Sequence, residues 1–318
     1  MKQIMTLVTS EERTLKNAFN EFERMKQINN IASKTLRSYK SSFRYFTEYI
    51  SENTSCNEIT HNTILGYIEY LQKTREDISV ISLNTYLSCL RVFLNFCMAE
   101  GYTKQFTISL LHAEKPLKKT YTDTELEKLL KKPNIKKSTF AQYRNWVIVC
   151  YLLGTGNRRK TVCNIKIGDL DLAAHEIRLL SVKNKKHYTI PISPFLEKIL
   201  REYLIYRKGK PEEYLFCSIY GQQLTVDGLS TILQKYNASR GVASTGLHRF
   251  RHVFAKKWIL NRGDGFRLKS ILGHSSMAMT NEYVDLYGGD LQKDFGVFSP
   301  LDNMECLKRS NGHIKMED

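Results

Sequence analysis

The sequence predicts a mainly α protein of two domains, with a small antiparallel β-sheet confined to the C-terminal one. Three observations carry this. The chain has 318 residues, and single domains usually run to roughly 100–200. Apolar residues recur at three- and four-residue steps through the first 112 positions, the period of a buried helix face. Strand patterns are limited to short segments at 169–172, 176–182 and 187–192.

Residues 1–112 read as four helices. The first, 11–28, opens on Glu11 and Glu12 and carries Leu15, Phe19 and Phe22. The second, 34–50, places Leu36, Tyr39, Phe43, Phe46 and Ile50 on one face. The third, 61–75, follows Thr60 as N-cap, with Ile64, Ile68 and Leu71 inward. The fourth, 82–99, carries Leu83, Tyr86, Leu90, Phe93 and Phe96 and stops at Gly101. Short connections make these a compact bundle. Residues 113–122 hold Pro116 and three lysines and lack an apolar period, so they read as a linker. Fully extended, such a segment reaches about 33 Å.

A domain over 123–299 follows, then a tail at 300–318. Thr122 and Glu125 fit a capping box for a helix with Leu126, Leu129 and Leu130 inward. An apolar helix at 139–153 is stopped by Gly154 and Gly156. The run Lys183-Asn184-Lys185-Lys186 is the turn between the last two strands. Helical patterns return at 194–207, 226–237, 247–261, 265–272 and 277–287, and the pattern weakens from Gly288 onward.

Charge narrows the function. The chain carries 48 Lys+Arg against 32 Asp+Glu, a net +16. Residues 1–112 hold 13 basic and 11 acidic side chains, and residues 113–318 hold 35 and 21. That asymmetry points to a polyanion, most commonly nucleic acid. On the second helix Lys34, Arg37, Lys40 and Arg44 form a stripe suited to a phosphate backbone; the competing reading is a solvated basic face. No apolar run reads as long enough for a membrane span. Seven cysteines without a C-x-x-C pair suit a reduced, cytoplasmic protein.

His248 and His252 stand one helical turn apart, but no Glu of an H-E-x-x-H motif lies between them, so no metal is expected there. A G-x-x-x-x-G-K-[ST] phosphate loop is also missing from the sequence. What remains is a scattered cationic set: Arg158 after the Gly154-Thr155-Gly156 turn, Lys183, His248 and Arg251 three apart on one helix, and His274 after Leu272-Gly273. Tyr283 lies nine residues beyond His274. Converging, these groups would make a phosphodiester site with Tyr283 as nucleophile. Arg159, Lys185, Lys186 and Tyr287 are the neighbouring alternatives.

These strings resemble the tyrosine recombinases, the phage integrase family. The matching blocks are Thr155-Gly156-Asn157-Arg158, Val182-Lys183 with Tyr188-Thr189-Ile190-Pro191, His248-Arg249-Phe250-Arg251-His252, Leu272-Gly273-His274 and Tyr283-Val284. Thr35, Tyr39, Phe43 and Phe46 match the family's helical core-binding domain. The resemblance covers about residues 10–300. It implies a C-shaped clamp on double-stranded DNA and a 3′-phosphotyrosyl link formed by Tyr283. Arg158, Arg251 and His274 would hold the phosphate, Lys183 would protonate the leaving 5′-oxygen, and His248 would assist proton transfer with the nucleophile. His252 reads as a packing or capping residue. The family's acidic residue three positions after the first arginine is Thr161 here.

The function implied is site-specific strand exchange: integration, excision, resolution or inversion, by a tetramer on two core sites, as in a mobile element, without cofactor or membrane. A monomeric type IB topoisomerase-like enzyme is one alternative and a non-catalytic DNA-binding regulator another. The core-binding helices begin so early that no room is left for an arm-binding domain, so short sites are expected. Phe295, Val297, Phe298, Pro300 and Leu301 suit docking of the tail onto a neighbouring protomer.

Overall fold

The computed structural model describes residues 13–113, 119–180, 187–243 and 246–287. It is mainly helical with one three-stranded antiparallel sheet. The turn carrying Lys183 and the tail from residue 288 lie outside the described residues. The chain divides into two compact units, Met1–Pro116 and Leu117–Asp318.

The first unit holds α1 (Leu15–Ile28), α2 (Ser33–Tyr49), α3 (His61–Thr74) and α4 (Val80–Ala99). Each start has a local cause except that of α2, whose N-cap Ala32 makes no side-chain bond. Thr14, Thr60 and Ser79 accept from the backbone N–H three residues on, satisfying donors that a helix end leaves open. The first helix is described from Leu15 on its Thr14 cap, and the acidic pair Glu11 and Glu12 lies outside the described residues. An aromatic cluster ties the helices together: Phe19 stacks on Phe43 at 4.0 Å, and Phe93 meets Phe19, Phe22 and Phe43 at 5.3–5.5 Å. Contrary to the sequence reading, α4 is long and apolar enough to cross a membrane by length and composition. Its Leu83, Leu87, Leu90, Phe93, Leu94, Cys97 and Met98 are buried in the bundle, which is the place of a core helix.

The second unit begins before Thr122. Tyr121, inside the segment read as linker, is buried on Phe250, with ring centroids 4.6 Å apart. Its hydroxyl accepts from Asn237 Nδ2 at 2.9 Å. α5 (Asp123–Leu130) starts on the expected Thr122–Glu125 capping box. α6 (Phe140–Thr155) then runs through the unit with ten buried residues. It does not stop at Gly154: that glycine is helical, and the helix ends at Gly156, whose φ of 62° is the left-handed cap. A six-residue helix, α7 (Arg159–Asn164), follows at once.

The sheet is β1 (Leu170–Asp171), β2 (Glu176–Leu180) and β3 (His187–Pro191), in sequence order and antiparallel. Ile177 pairs with Ile190 and Leu179 with Tyr188, so these four share the face turned to the core. The remaining helices are α8 (Pro194–Arg207), α9 (Val226–Ser239), α10 (Leu247–Leu260), α11 (Gly265–Leu272) and α12 (Ala278–Tyr287). α10 packs against α6, α11 and α12, which sets the stage for the site.

Candidate active site

Two left-handed glycines shape the site. Gly156 turns the chain out of α6, so that Asn157 is buried and Arg158 becomes the N-cap of α7. Asn157 is locked by donating Nδ2 to the Tyr151 hydroxyl at 2.8 Å. Gly273, φ 59°, ends α11 and leaves the carbonyls of Leu272 and Gly273 pointing out of the last turn.

Those carbonyls collect both arginines. Arg158 Nη1 donates to Leu272 O at 3.2 Å and Gly273 O at 3.0 Å. Arg251, from α10, donates Nη2 to Leu272 O at 2.9 Å and Nη1 to Gly156 O at 2.9 Å. The Leu272 oxygen is therefore shared by the two guanidinium groups, and the negative end of α11 favours cations there. Arg251 is 5% exposed. Burial, and then the charge of Arg158, push its pKa down to about 10, still cationic at neutral pH. A guanidinium has five N–H donors, so each arginine keeps donors beyond those spent on carbonyls. Anchored on backbone, that pair could receive an anion. Tyr188 of β3 borders the pair: burial raises its phenol pKa, against the lowering charges of Arg158 and Arg251.

His274 and Tyr283 complete the group. His274 is buried, and its Nδ1 is 2.8 Å from Thr280 Oγ1. When the threonine donates, the proton sits on Nε2, making that nitrogen the donor. The His274 and Tyr283 rings stack, 7° from parallel with centroids 6.4 Å apart. Tyr283 is 3% exposed, and its hydroxyl lies 2.7 Å from His252 Nδ1.

The structure thus brings together Arg158, Arg251, His274 and Tyr283. His248 lies one turn before His252, with ring centroids 6.5 Å apart. It lines a cavity of about 350 Å³ with Lys119, Arg159, Arg249 and His252. Burial lowers its pKa, as do the charges of Arg159, Arg251 and Arg158. Lys183 lies outside the described residues. Arg159, the alternative to Arg158, is turned to Ser230 Oγ at 3.2 Å. The side chain of Tyr287 lies outside the described residues.

In the first unit Lys34, Arg37, Lys40 and Arg44 are all exposed on α2. Two of them have acidic neighbours: Lys40 Nζ is 2.6 Å from Glu23, and Arg44 Nε is 3.8 Å from Glu48. Lys34 and Arg37 make no ion pair among the described residues.

The sequence reading did not place His252 against Tyr283 or Thr280 against His274. His252 was visible in the string His-Arg-Phe-Arg-His but read as packing, because nothing in the sequence says where Tyr283 will point. Thr280 carries no signal; only the fold after Gly273 brings it to His274.

Comparison with known proteins follows this geometry. Residues 119–288 match the phage integrase family and residues 14–111 match the phage integrase SAM-like domain. Tyrosine recombinase XerC of Staphylococcus aureus is 26% identical over 274 residues, 83% of this chain and 90% of that protein. The Tn1549 transposon integrase in complex with a circular intermediate DNA superposes with a TM-score of 0.70 at 19% identity, covering 85% of this chain and 94% of that one. A lambda integrase tetramer bound to a Holliday junction gives 0.68 at 18% identity, covering 89% and 80%. At such identities the solved structures speak to the fold.

Proposed function

The chain belongs to the phage integrase family, and on that premise we propose that it is a site-specific DNA recombinase working through a 3′-phosphotyrosyl intermediate on Tyr283. One observation carries the reading: Arg158 and Arg251 meet on the Leu272 carbonyl, and the ring of Tyr283 lies stacked on His274 beside them.

A phenol is a weak nucleophile at neutral pH, its pKa being about 10. Arg158 and Arg251 offset this in two ways. Their charge favours the phenolate, and their fork geometry fits the non-bridging oxygens as negative charge builds on phosphorus. Because backbone carbonyls hold the guanidinium groups before substrate arrives, little reorganisation is needed at the moment of reaction. His274, oriented by Thr280, adds a further donor. Lys183 serves as acid for the 5′-oxygen. The phosphotyrosine conserves the bond energy, so a second 5′-hydroxyl rejoins the strand without an external energy source.

Strand exchange between two sites needs four active protomers, and the lambda integrase tetramer on a Holliday junction supports that assembly by likeness. In the first unit, Lys34 and Arg37 on α2 contact backbone phosphates, with Lys40 and Arg44 beside them.

The test uses a nicked suicide duplex whose cleaved end diffuses away. Wild-type protein accumulates a covalent DNA adduct that maps to Tyr283. The Tyr283→Phe variant binds the duplex equally and forms none. An adduct persisting in that variant, or mapping to Tyr287, rejects the assignment.

A further inference from the structure

We infer that His252 accepts the proton of Tyr283 as the phenol attacks, a task the family resemblance gives to His248. This rests on the reading of Tyr283 as nucleophile. The carrying observation is the 2.7 Å contact between His252 Nδ1 and the Tyr283 hydroxyl, inside the 2.6–3.2 Å reach of a general base. His248, the residue that family position favours, makes no hydrogen bond to Tyr283 among the described residues, and its ring lies on the cavity one turn away.

Helix geometry explains the choice. His248 and His252 are four apart and so lie on one face of α10. α12 packs against α10 at the level where its buried Tyr283 meets the later of the two rings. Arg251 precedes His252 and points to the Gly156 and Leu272 carbonyls. One turn of α10 therefore supplies both an anion holder and a proton acceptor to the same phenol. His252 also borders the cavity of about 350 Å³, which gives the captured proton a route to solvent.

The step balances as follows. Neutral His252 carries its proton on Nε2 and accepts at Nδ1. The Tyr283 oxygen bonds to phosphorus, its proton passes to Nδ1, and the bond from phosphorus to the 5′-oxygen breaks. The 5′-oxygen leaves with a proton supplied from its own side of the site.

Among the described residues, the ionisable groups on the elements packed around the ring are His248, Arg249, Arg251 and Lys256 on its own helix, Glu282, Tyr283 and Asp285 on α12, and Lys119 and Arg159 across the cavity. From α6 the one charged residue is Arg144, bonded to the Cys217 carbonyl. α11 brings Arg267, which lines a different cavity, and Lys269. Arg249, Arg251, Lys119 and Arg159 are cationic, so a further positive charge on His252 is better accommodated once the negative phosphate is in place. Proton acceptance is thereby coupled to DNA binding.

The experiment is single-turnover cleavage of the nicked duplex between pH 5.5 and 9 by wild type, His252→Ala and His252→Asn. The Asn amide oxygen can hold the hydroxyl but takes no proton in this range. Both variants are expected to bind the duplex like wild type and to cleave at least about 100-fold more slowly at pH 7, the usual scale of general base catalysis. Their rates should climb about tenfold per pH unit, following ionisation of a phenol of pKa about 10, while the wild-type profile levels off. Recovery by His252→Asn to within threefold of wild type, or an unchanged pH profile in either variant, overturns the inference. Absence of a Tyr283 adduct in the wild type removes the recombinase reading and this inference with it. A normal wild-type adduct with unaltered variants removes this inference alone.

Discussion

Replacing Gly156 by alanine tests whether the turn after α6 holds the site together. Two costs follow from the structure. The first is conformational: φ at Gly156 is +62°, where an L-residue loses about 1–2 kcal/mol. The second is steric. The added Cβ would stand 2.7 Å from Leu272 Cδ2 and 2.8 Å from Phe254 Cδ1. Leu272 is 1% exposed and cannot swing outward, so overpacking costs a further amount of about 1–3 kcal/mol. The sum is about 2–5 kcal/mol. Gly221 is the control: its φ is +78°, and an added Cβ meets nothing within 4 Å. Gly221→Ala should therefore lose only the first amount, about 1–2 kcal/mol. Urea unfolding followed by tryptophan fluorescence reads the right unit, because both tryptophans, Trp146 and Trp258, lie in the second. At urea concentrations where Gly156→Ala is still folded, cleavage should also fall, since the Gly156 and Leu272 carbonyls anchor Arg251. Equal stability losses in the two alanine variants would refute the crowding argument.

Two further outcomes are expected. Lys183→Ala should slow cleavage of ordinary DNA yet spare a substrate with a 5′-bridging sulfur, whose leaving group needs little protonation; equal defects on both substrates would move the acid to Lys185 or Lys186. On α2, Lys34→Ala and Arg37→Ala should each reduce the slope of log affinity against log salt by about 0.9, measured by fluorescence anisotropy on unrelated duplexes. Lys40→Ala should change it less, because Glu23 already sits on that ammonium; unchanged slopes for Lys34 and Arg37 would make the stripe a solvated face.

The sequence by itself determined the fold class and the family. Helical spacing of Phe19, Phe22, Phe43 and Phe93 announces a bundle, because burial selects one face per 3.6 residues. The Thr122–Glu125 box was legible because caps are written in local residue types. Spacing and resemblance also named Arg158, Arg251, His274 and Tyr283, which the fold assembles. Other features were not legible. α7 is too short to show a period, and Gly154 reads like Gly156 until the backbone shows which one is left-handed. The Leu272 carbonyl that holds both arginines has no side-chain signature, since every residue carries a carbonyl. His248 and His252 share a face of α10, so periodicity treats them alike. Only the packing of α12 against that helix decides which ring meets the phenol, because the contact joins residues 31 apart in the chain through tertiary packing and not through local pattern.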